Sequence, residues 1–280
     1  MLLITGANGQ LGNCLKDILG EHNAVYTDAA ELDITDEKAV FAFGENHNLT
    51  AIINCAAYTN VDKAEDEPEL ARRINALGPK NLAKLAAEKD IPFVHISTDY
   101  VFDGSANAPI DETATPAPLG VYGKTKREGE ENVLKYAQTA LILRTAWLYS
   151  PYGKNFLKTM LSLAAQKEEI RVVADQFGTP TYAPHLADAI VRILPQLKQG
   201  RKEIYHFTDE GAASWYDFAH YILKTAGSAC RVRPIATKDY PTKAVRPAFS
   251  VLDKTNIKRD FNLQIPHWTK GVEECLTKLS

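Results

Sequence analysis

The chain has 280 residues, 45% of them hydrophobic and 24% charged, with a formal net charge of −3. That balance argues against a nucleic-acid binder, which needs a basic face, and the length suffices for a full core without disulfides. Cys14, Cys55, Cys230 and Cys275 form no CxxC pair and no histidine lies in an HExxH motif, so neither a zinc site nor a disulfide scaffold is expected.

The first segment, MLLIT, reads as a buried strand and leaves no room for a charged signal-peptide n-region. QLGNCLKDILG follows as an amphipathic helix ending at Gly20. NAVYTD is a second strand, DEKAVFAFGENH a helix and TAIINCA a third strand. A long helical pattern runs through PELARRINALGPKNLAKLAAEKD, and PFVHIST makes a fourth strand. A helix from Tyr122 to about Ala137 leads into the strand TALILRTAW. Strands separated by helices of this length predict βαβ units and an α/β, doubly wound, Rossmann-like parallel sheet.

After Trp147 the rhythm loosens. Helical patterns NFLKTMLSLAAQ, PHLADAIVRILPQL and SWYDFAHYILKTAG alternate with short strands such as EIYHFT, and FGTPTYAP and YPTKAVRPAF punctuate them. The expected division is an NAD(P)-binding domain over 1–150 and a smaller α/β substrate region over 151–280, partly interleaved with the first. No apolar run reaches the length of a membrane span, so a cytoplasmic protein with no membrane or nucleic-acid partner is expected.

ITGANGQLG places Gly6, Gly9 and Gly12 between the first strand and the first helix. The glycines suit a tight turn, a close approach of backbone to pyrophosphate and close packing of helix on strand. The helix N-terminus offers free N–H groups to the phosphates. An acidic residue about 20 positions on is then needed for the adenosine ribose, and Asp28 supplies it. No Lys or Arg lies between Lys16 and Lys38 to meet a 2′-phosphate, so of NADH and NADPH the sequence leans towards NADH. In LDITD, Asp33 and Ile34 are placed to flank the adenine.

The fourth strand delivers Ser97, Thr98 and Asp99 to the carboxyl edge of the sheet, where an open α/β fold builds its site. Tyr122 and Lys126 follow four residues apart on one helix face. This Ser/Thr–Tyr–Lys set resembles that of the extended short-chain dehydrogenase/reductase superfamily. More closely, GANGQLG, AAYTNVDKAEDEP, STDYVFDG, YGKTKREGE, LRTAWLY, FGTPT and RPAFSVLD, in order from residue 6 to residue 253, resemble the dTDP-4-dehydrorhamnose reductase family.

That resemblance implies NAD(P)H-dependent reduction of the C4 ketone of dTDP-4-dehydro-L-rhamnose to dTDP-L-rhamnose, in the service of cell-surface polysaccharide synthesis. Tyr122 would be the general acid, with Lys126 favouring its phenolate and bonding the nicotinamide ribose. Thr98 would bond the substrate oxygen, Asp99 a sugar hydroxyl, and Trp147 would pack its ring on the deoxysugar. Gly9, Gln10 and Leu11 would line the pyrophosphate; Ala56, Ala57, Tyr58, Thr59 and Ser97 would lie beside the cofactor. Val61, Asn155 and Arg246 fall in matching motifs without an assigned role.

Some members of the family are dimers bridged by a carboxylate-held divalent metal. Cys14 stands where one carboxylate would fall, so no metal and a monomer or weak homodimer are expected. Phe249 replaces a polar residue of some relatives. Two other readings are open on this fold: a nucleotide-sugar epimerase or dehydratase, and a non-catalytic cofactor-binding subunit. Tyr100, directly after Asp99, disfavours a dehydratase, which usually pairs Asp with Glu there. The complete Thr98, Tyr122, Lys126 set disfavours the non-catalytic subunit.

Overall fold

The computed structural model describes residues 1–279. The strands β1 (Leu2–Thr5), β2 (Ala24–Thr27), β3 (Ala51–Asn54), β4 (Phe93–Thr98) and β5 (Ala140–Thr145) form a parallel sheet. They are apolar on both faces because both faces are covered. Leu3, Ile52, Phe93 and Ile142 pack on one side, against α2 (Glu37–Glu45), α5 (Gly78–Glu88) and α6 (Val121–Tyr136). Ile4, Ile53, Val94, Leu141 and Leu143 pack on the other, against α1 (Gln10–Leu19) and α8 (Ala183–Ile193).

Six short strands lie outside this sheet among the described residues. They are β6 (Leu148–Tyr149), β7 (Glu169–Val173), β8 (Phe177–Gly178), β9 (Thr181–Tyr182), β11 (Ala213–Ser214) and β12 (Arg231–Ile235). β6 pairs with β9, β8 with β11, and β7 with β12. The remaining strand, β10 (Lys202–His206), joins the main sheet beside β5, giving the order β10-β5-β4-β3-β1-β2. The EIYHFT segment thus completes the sheet, and α8 from the same half of the chain covers it. With β2 on one side of β1 and β3 on the other, the connections reverse at β1/β3, which opens a crevice at their carboxyl ends.

The long helical pattern after β3 is helical throughout from Pro68 to Glu88, but it is not uniform. α4 (Pro68–Arg72) passes through a π-helical turn, Arg73–Leu77, directly into α5, and the short α3 (Val61–Ala64) precedes it. The turn carries Asn75, fully buried, whose Oδ1 accepts from Tyr58 N at 2.8 Å and whose Nδ2 donates to Thr125 Oγ1 at 3.1 Å. These side-chain bonds fasten the widened turn to the loop after β3 and to α6. π turns are rare and collect at functional sites.

A further core lies in the C-terminal half, where α7 (Phe156–Ala164), α9 (Trp215–Thr225) and α11 (Trp268–Leu279) bury Leu157, Phe218, Ile222 and Val272. α10 (Thr255–Phe261) packs beside β10 through Phe261 on Tyr205, with ring centroids 5.3 Å apart. α10, α11, β7 and β12 are elements that the sequence reading leaves unassigned.

Candidate active site

The loop after β1 meets the loop after β3 in a contact that only glycine permits. Gly6 has φ 65°, and a Cβ on it would stand 2.6 Å from Ala56 N. Gly9 precedes α1 as its N-cap; no side chain caps that helix end and no acidic residue occupies the first turn. The free N–H groups and the positive end of the helix dipole therefore face the crevice, which suits a pyrophosphate.

A cavity of about 810 Å³ runs from this helix end across the carboxyl edge of the sheet. It is lined by Gly6, Gly9, Gln10, Leu11, Asp28, Asp33, Ile34, Ala56, Ala57, Thr59, Ser97, Thr98, Asp99, Tyr122, Lys126 and Trp147. Two residues expected there are elsewhere. Gly12 packs α1 on the loop, where a Cβ would come within 2.5 Å of Ala7 Cα. Tyr58 turns outward and its hydroxyl donates to Glu67 Oε2 at 2.7 Å.

At the β2 end of the cavity, Asp28 Oδ2 accepts from Asn8 N at 3.1 Å and Oδ1 from Ala29 N at 2.8 Å, which orients the carboxylate. Each oxygen keeps a lone pair for a ribose hydroxyl. Gln10 links α1 to the segment after β6: its Nε2 donates to Leu148 O at 3.2 Å, and its Oε1 accepts from Asn155 Nδ2 at 3.0 Å. Asn155 also N-caps α7 by accepting from Lys158 N at 3.1 Å. Its place is beneath the cavity as a brace.

Tyr122, Lys126 and Glu130 recur every four residues along α6, and Glu130 anchors that face. Its Oε1 accepts from Arg144 Nε at 2.8 Å and from Ser97 Oγ at 2.6 Å; its Oε2 accepts from Arg144 Nη2 at 2.8 Å. Glu130 and Arg144 are both fully buried, and charge-assisted bidentate pairing holds Glu130 ionised against burial. Ser97 lines the cavity, yet its hydroxyl proton is given to Glu130.

Lys126 Nζ donates to Ile96 O at 2.5 Å. Burial pulls this ammonium down to about 8, opposed by the Glu130 charge and then by Cys55. Burial also pushes the Tyr122 phenol well above its usual value; Asp99 and Tyr100 add to this, while a bond with Thr98 opposes it. Lys126 was expected to favour the phenolate. In the structure its ammonium is directed at Ile96 O, and the phenol is held in the protonated form. Thr98 Oγ1 donates to Asp99 Oδ1 at 3.0 Å, whereas the buried Asp99 Oδ2 has no hydrogen-bond partner among the described residues. Burial raises the Asp99 carboxyl to about 6, restrained by the Ser250 and Thr98 hydroxyls. An acid that keeps its proton, a hydroxyl beside it and a carboxylate with a free lone pair can together protonate and orient a carbonyl substrate.

At the opposite end Trp147 adopts φ 49°, a left-handed conformation unusual for a bulky residue. Its ring is held between the Trp215 indole, stacked at 3.5 Å, and Gly178, where a Cβ would come within 2.7 Å of Cε2. Trp215 begins α9 directly after a Ser214–Asp217 capping box and also lines the cavity. The SxxD spacing signals that helix start, but nothing local ties Trp215 to Trp147. Val61, Arg73, Tyr100, Lys154 and Arg246 are also on the walls. Arg246 Nη2 donates to Asp62 Oδ2 at 2.9 Å, and its buried Nε has no partner among the described residues.

Comparison with known proteins agrees with this geometry. A family model described as RmlD substrate binding domain matches residues 1–280. A dTDP-4-dehydrorhamnose reductase of Aggregatibacter actinomycetemcomitans is 43% identical, over 97% of this chain and 97% of its own. A crystal structure of a dTDP-4-dehydrorhamnose reductase from Clostridium acetobutylicum superposes with TM-score 0.95 at 41% identity, covering 99% of both chains. The Bacillus anthracis dTDP-4-dehydrorhamnose reductase, solved in complex with NADP, also gives TM-score 0.95, at 39% identity over 99% of this chain and 98% of that one. On this end-to-end match in sequence and fold, the chain belongs to the RmlD substrate binding domain family.

Proposed function

We propose that this protein is an NAD(P)H-dependent oxidoreductase that reduces the C4 ketone of dTDP-4-dehydro-L-rhamnose to dTDP-L-rhamnose. The observation that carries the reading is one continuous cavity joining an uncapped helix N-terminus to Thr98, Tyr122 and Lys126. Full-length relatives bearing the name dTDP-4-dehydrorhamnose reductase support the substrate.

The glycine loop, Gln10 and Leu11 hold the pyrophosphate, Asp28 the adenosine ribose, and Asp33 and Ile34 the adenine. A bound reduced nicotinamide supplies the hydride. Tyr122 gives its phenolic proton to the C4 oxygen, which Thr98 orients by a hydrogen bond. Lys126 supplies positive charge that favours the phenolate left behind, and bonds the nicotinamide ribose. Asp99 accepts from a sugar hydroxyl through its free oxygen, and Trp147 bounds the deoxysugar. Residues 1–150 thus hold the cofactor and also bring Thr98, Asp99, Tyr122 and Trp147 to the sugar, while 151–280 add Trp215 to the cavity wall.

The relative with bound NADP supports use of a nicotinamide dinucleotide and gives no support to the lean towards NADH. No helix among the described residues is long and apolar enough to cross a membrane, and the four cysteines are free, in keeping with a reducing cytoplasm. Cys14 is buried, its thiol raised to about 12 chiefly by burial, which disfavours a metal bridge at α1. A monomer or weak homodimer fits that.

The test is to mix the purified protein with reduced cofactor and dTDP-4-dehydro-L-rhamnose and follow the loss of NAD(P)H absorbance. Stoichiometric oxidation with formation of dTDP-L-rhamnose is expected. Cofactor binding without turnover overturns the reading in favour of a non-catalytic role.

A further inference from the structure

Asp28 and Glu31 make the ribose corner of the cavity acidic. Glu31 Oε2 accepts from Asp28 N at 2.9 Å, so both carboxylates lie on the loop that leaves β2. A phosphate on the adenosine 2′-oxygen brings a charge of about −2 to this corner and is repelled unless a cation faces it. No Lys or Arg lies between Lys16 and Lys38.

The fold brings a cation from elsewhere. Arg73, 45 residues beyond Asp28 in the sequence, is the first residue of the π-helical turn and lines the same cavity. Its Nη2 donates to Thr35 Oγ1 at 3.2 Å, which places the guanidinium against the Asp33–Thr35 segment that lines the cavity together with Asp28. Among the described residues it has no carboxylate partner, in contrast with its neighbour Arg72, which is bound at 2.7 Å by Glu128. Of the other cations on the cavity wall, Lys126 is buried on Ile96 O and Arg246 is paired with Asp62. Lys154 follows Gly153, which lies by Gln10 at the N-terminus of α1 rather than in the Asp28 corner. The turn that presents Arg73 is held in place by Asn75, so the guanidinium stands on a braced piece of backbone. Four of its N–H donors are left over.

We propose that Arg73 is a cofactor-specificity residue, the cation that offsets Asp28 and Glu31 and admits the 2′-phosphate of NADPH. The proposal rests on the reductase reading above.

The experiment is steady-state kinetics of the wild-type protein and of Arg73→Ala with NADPH and with NADH, the dTDP-sugar being saturating. In the variant kcat/KM for NADPH falls about tenfold or more and that for NADH stays within about twofold, since a charge-assisted phosphate contact is removed only from NADPH. Calorimetric binding of 2′,5′-ADP and of 5′-AMP supplies a readout independent of turnover: the variant loses affinity for the first only. An unchanged NADPH/NADH ratio, or an equal loss with both cofactors and both nucleotides, overturns the proposal; the equal loss assigns Arg73 to adenine stacking. A wild-type protein that turns over with NADH alone also overturns it. No turnover with either cofactor defeats the reductase reading instead, and the two nucleotide affinities still judge Arg73.

Discussion

The indole of Trp147 is stacked on that of Trp215 at a centroid distance of 3.5 Å and an interplanar angle of 10°, although 68 positions separate them in the sequence. The stack holds Trp147 in a left-handed backbone conformation that costs of order 1–3 kcal/mol and persists only under such constraint. Gly178 on the ring completes the clamp. Gly178→Ala pushes a methyl into the indole and displaces it towards the sugar end of the cavity. The KM for the nucleotide sugar should then rise about tenfold, on the scale of one lost aromatic contact. The NADPH dissociation constant should stay within about twofold. Equal weakening of both ligands would mean that Trp147 serves only the fold.

Tyr122 is held protonated by burial and by Asp99, as a proton donor requires. Tyr122→Phe keeps the ring that meets Tyr100 edge-on, with centroids 5.6 Å apart, and removes only the acid. Turnover should fall about 10²–10⁴-fold while cofactor affinity is retained. Stopped-flow and fluorescence titration separate the two quantities, and near-normal kcat refutes the assignment.

Asp99 and Lys126 set opposite limbs of a pH profile. In the proposed role Asp99 accepts most strongly from a sugar hydroxyl when ionised, and burial raises its carboxyl to about 6; Lys126, lowered to about 8, keeps its charge below that. The kcat/KM for the sugar should therefore form a bell between about pH 6 and pH 8. For stability the signs follow from proton counts. Between the unfolded Asp value, about 3.9, and 6, the folded state binds more protons, so Asp99 costs stability as pH rises. Between 8 and the unfolded Lys value, about 10.4, the unfolded state binds more, so the Lys126 penalty is relieved as pH rises. Asp99→Asn should raise stability at pH 7 by about 1–3 kcal/mol and lower activity; a fall in the urea midpoint contradicts this account.

Glu130 and Arg144 are an ion pair with no access to water. Glu130→Gln leaves the Arg144 guanidinium buried beside a neutral amide and should cost about 3–5 kcal/mol in urea unfolding. Adding Arg144→Met removes the stranded charge and should recover part of the loss. A double variant no more stable than the single one would place the cost in packing.

The glycine loop, Asp28, the Thr98–Asp99 strand end and the Tyr122/Lys126 face were legible because each is written within a few residues. The alternation of apolar strands with amphipathic helices was legible for the same reason. The π turn was not: a helical pattern through Arg73–Leu77 looks unbroken, and only bonds from Asn75 to Tyr58 and Thr125 reveal where it widens. Nor did the pattern EIYHFT say that it would become an edge of the main sheet, since a strand chooses its neighbour by long-range pairing. The lean towards NADH came from scanning one stretch for cations, whereas Arg73 reaches that corner from a different helix.

By itself the sequence determined the class of fold, the glycine-loop entry to α1 and the spacing of Tyr122 and Lys126, all properties of local periodicity and backbone geometry. The tertiary structure decided which side chains share the cavity. It turned Tyr58 out to Glu67, gave the Ser97 proton to Glu130, and set the direction of every pKa shift in the site. Those outcomes depend on burial and on charges brought together through space. They could not be read where Lys126 and Tyr122 were first paired, four residues apart on one helix.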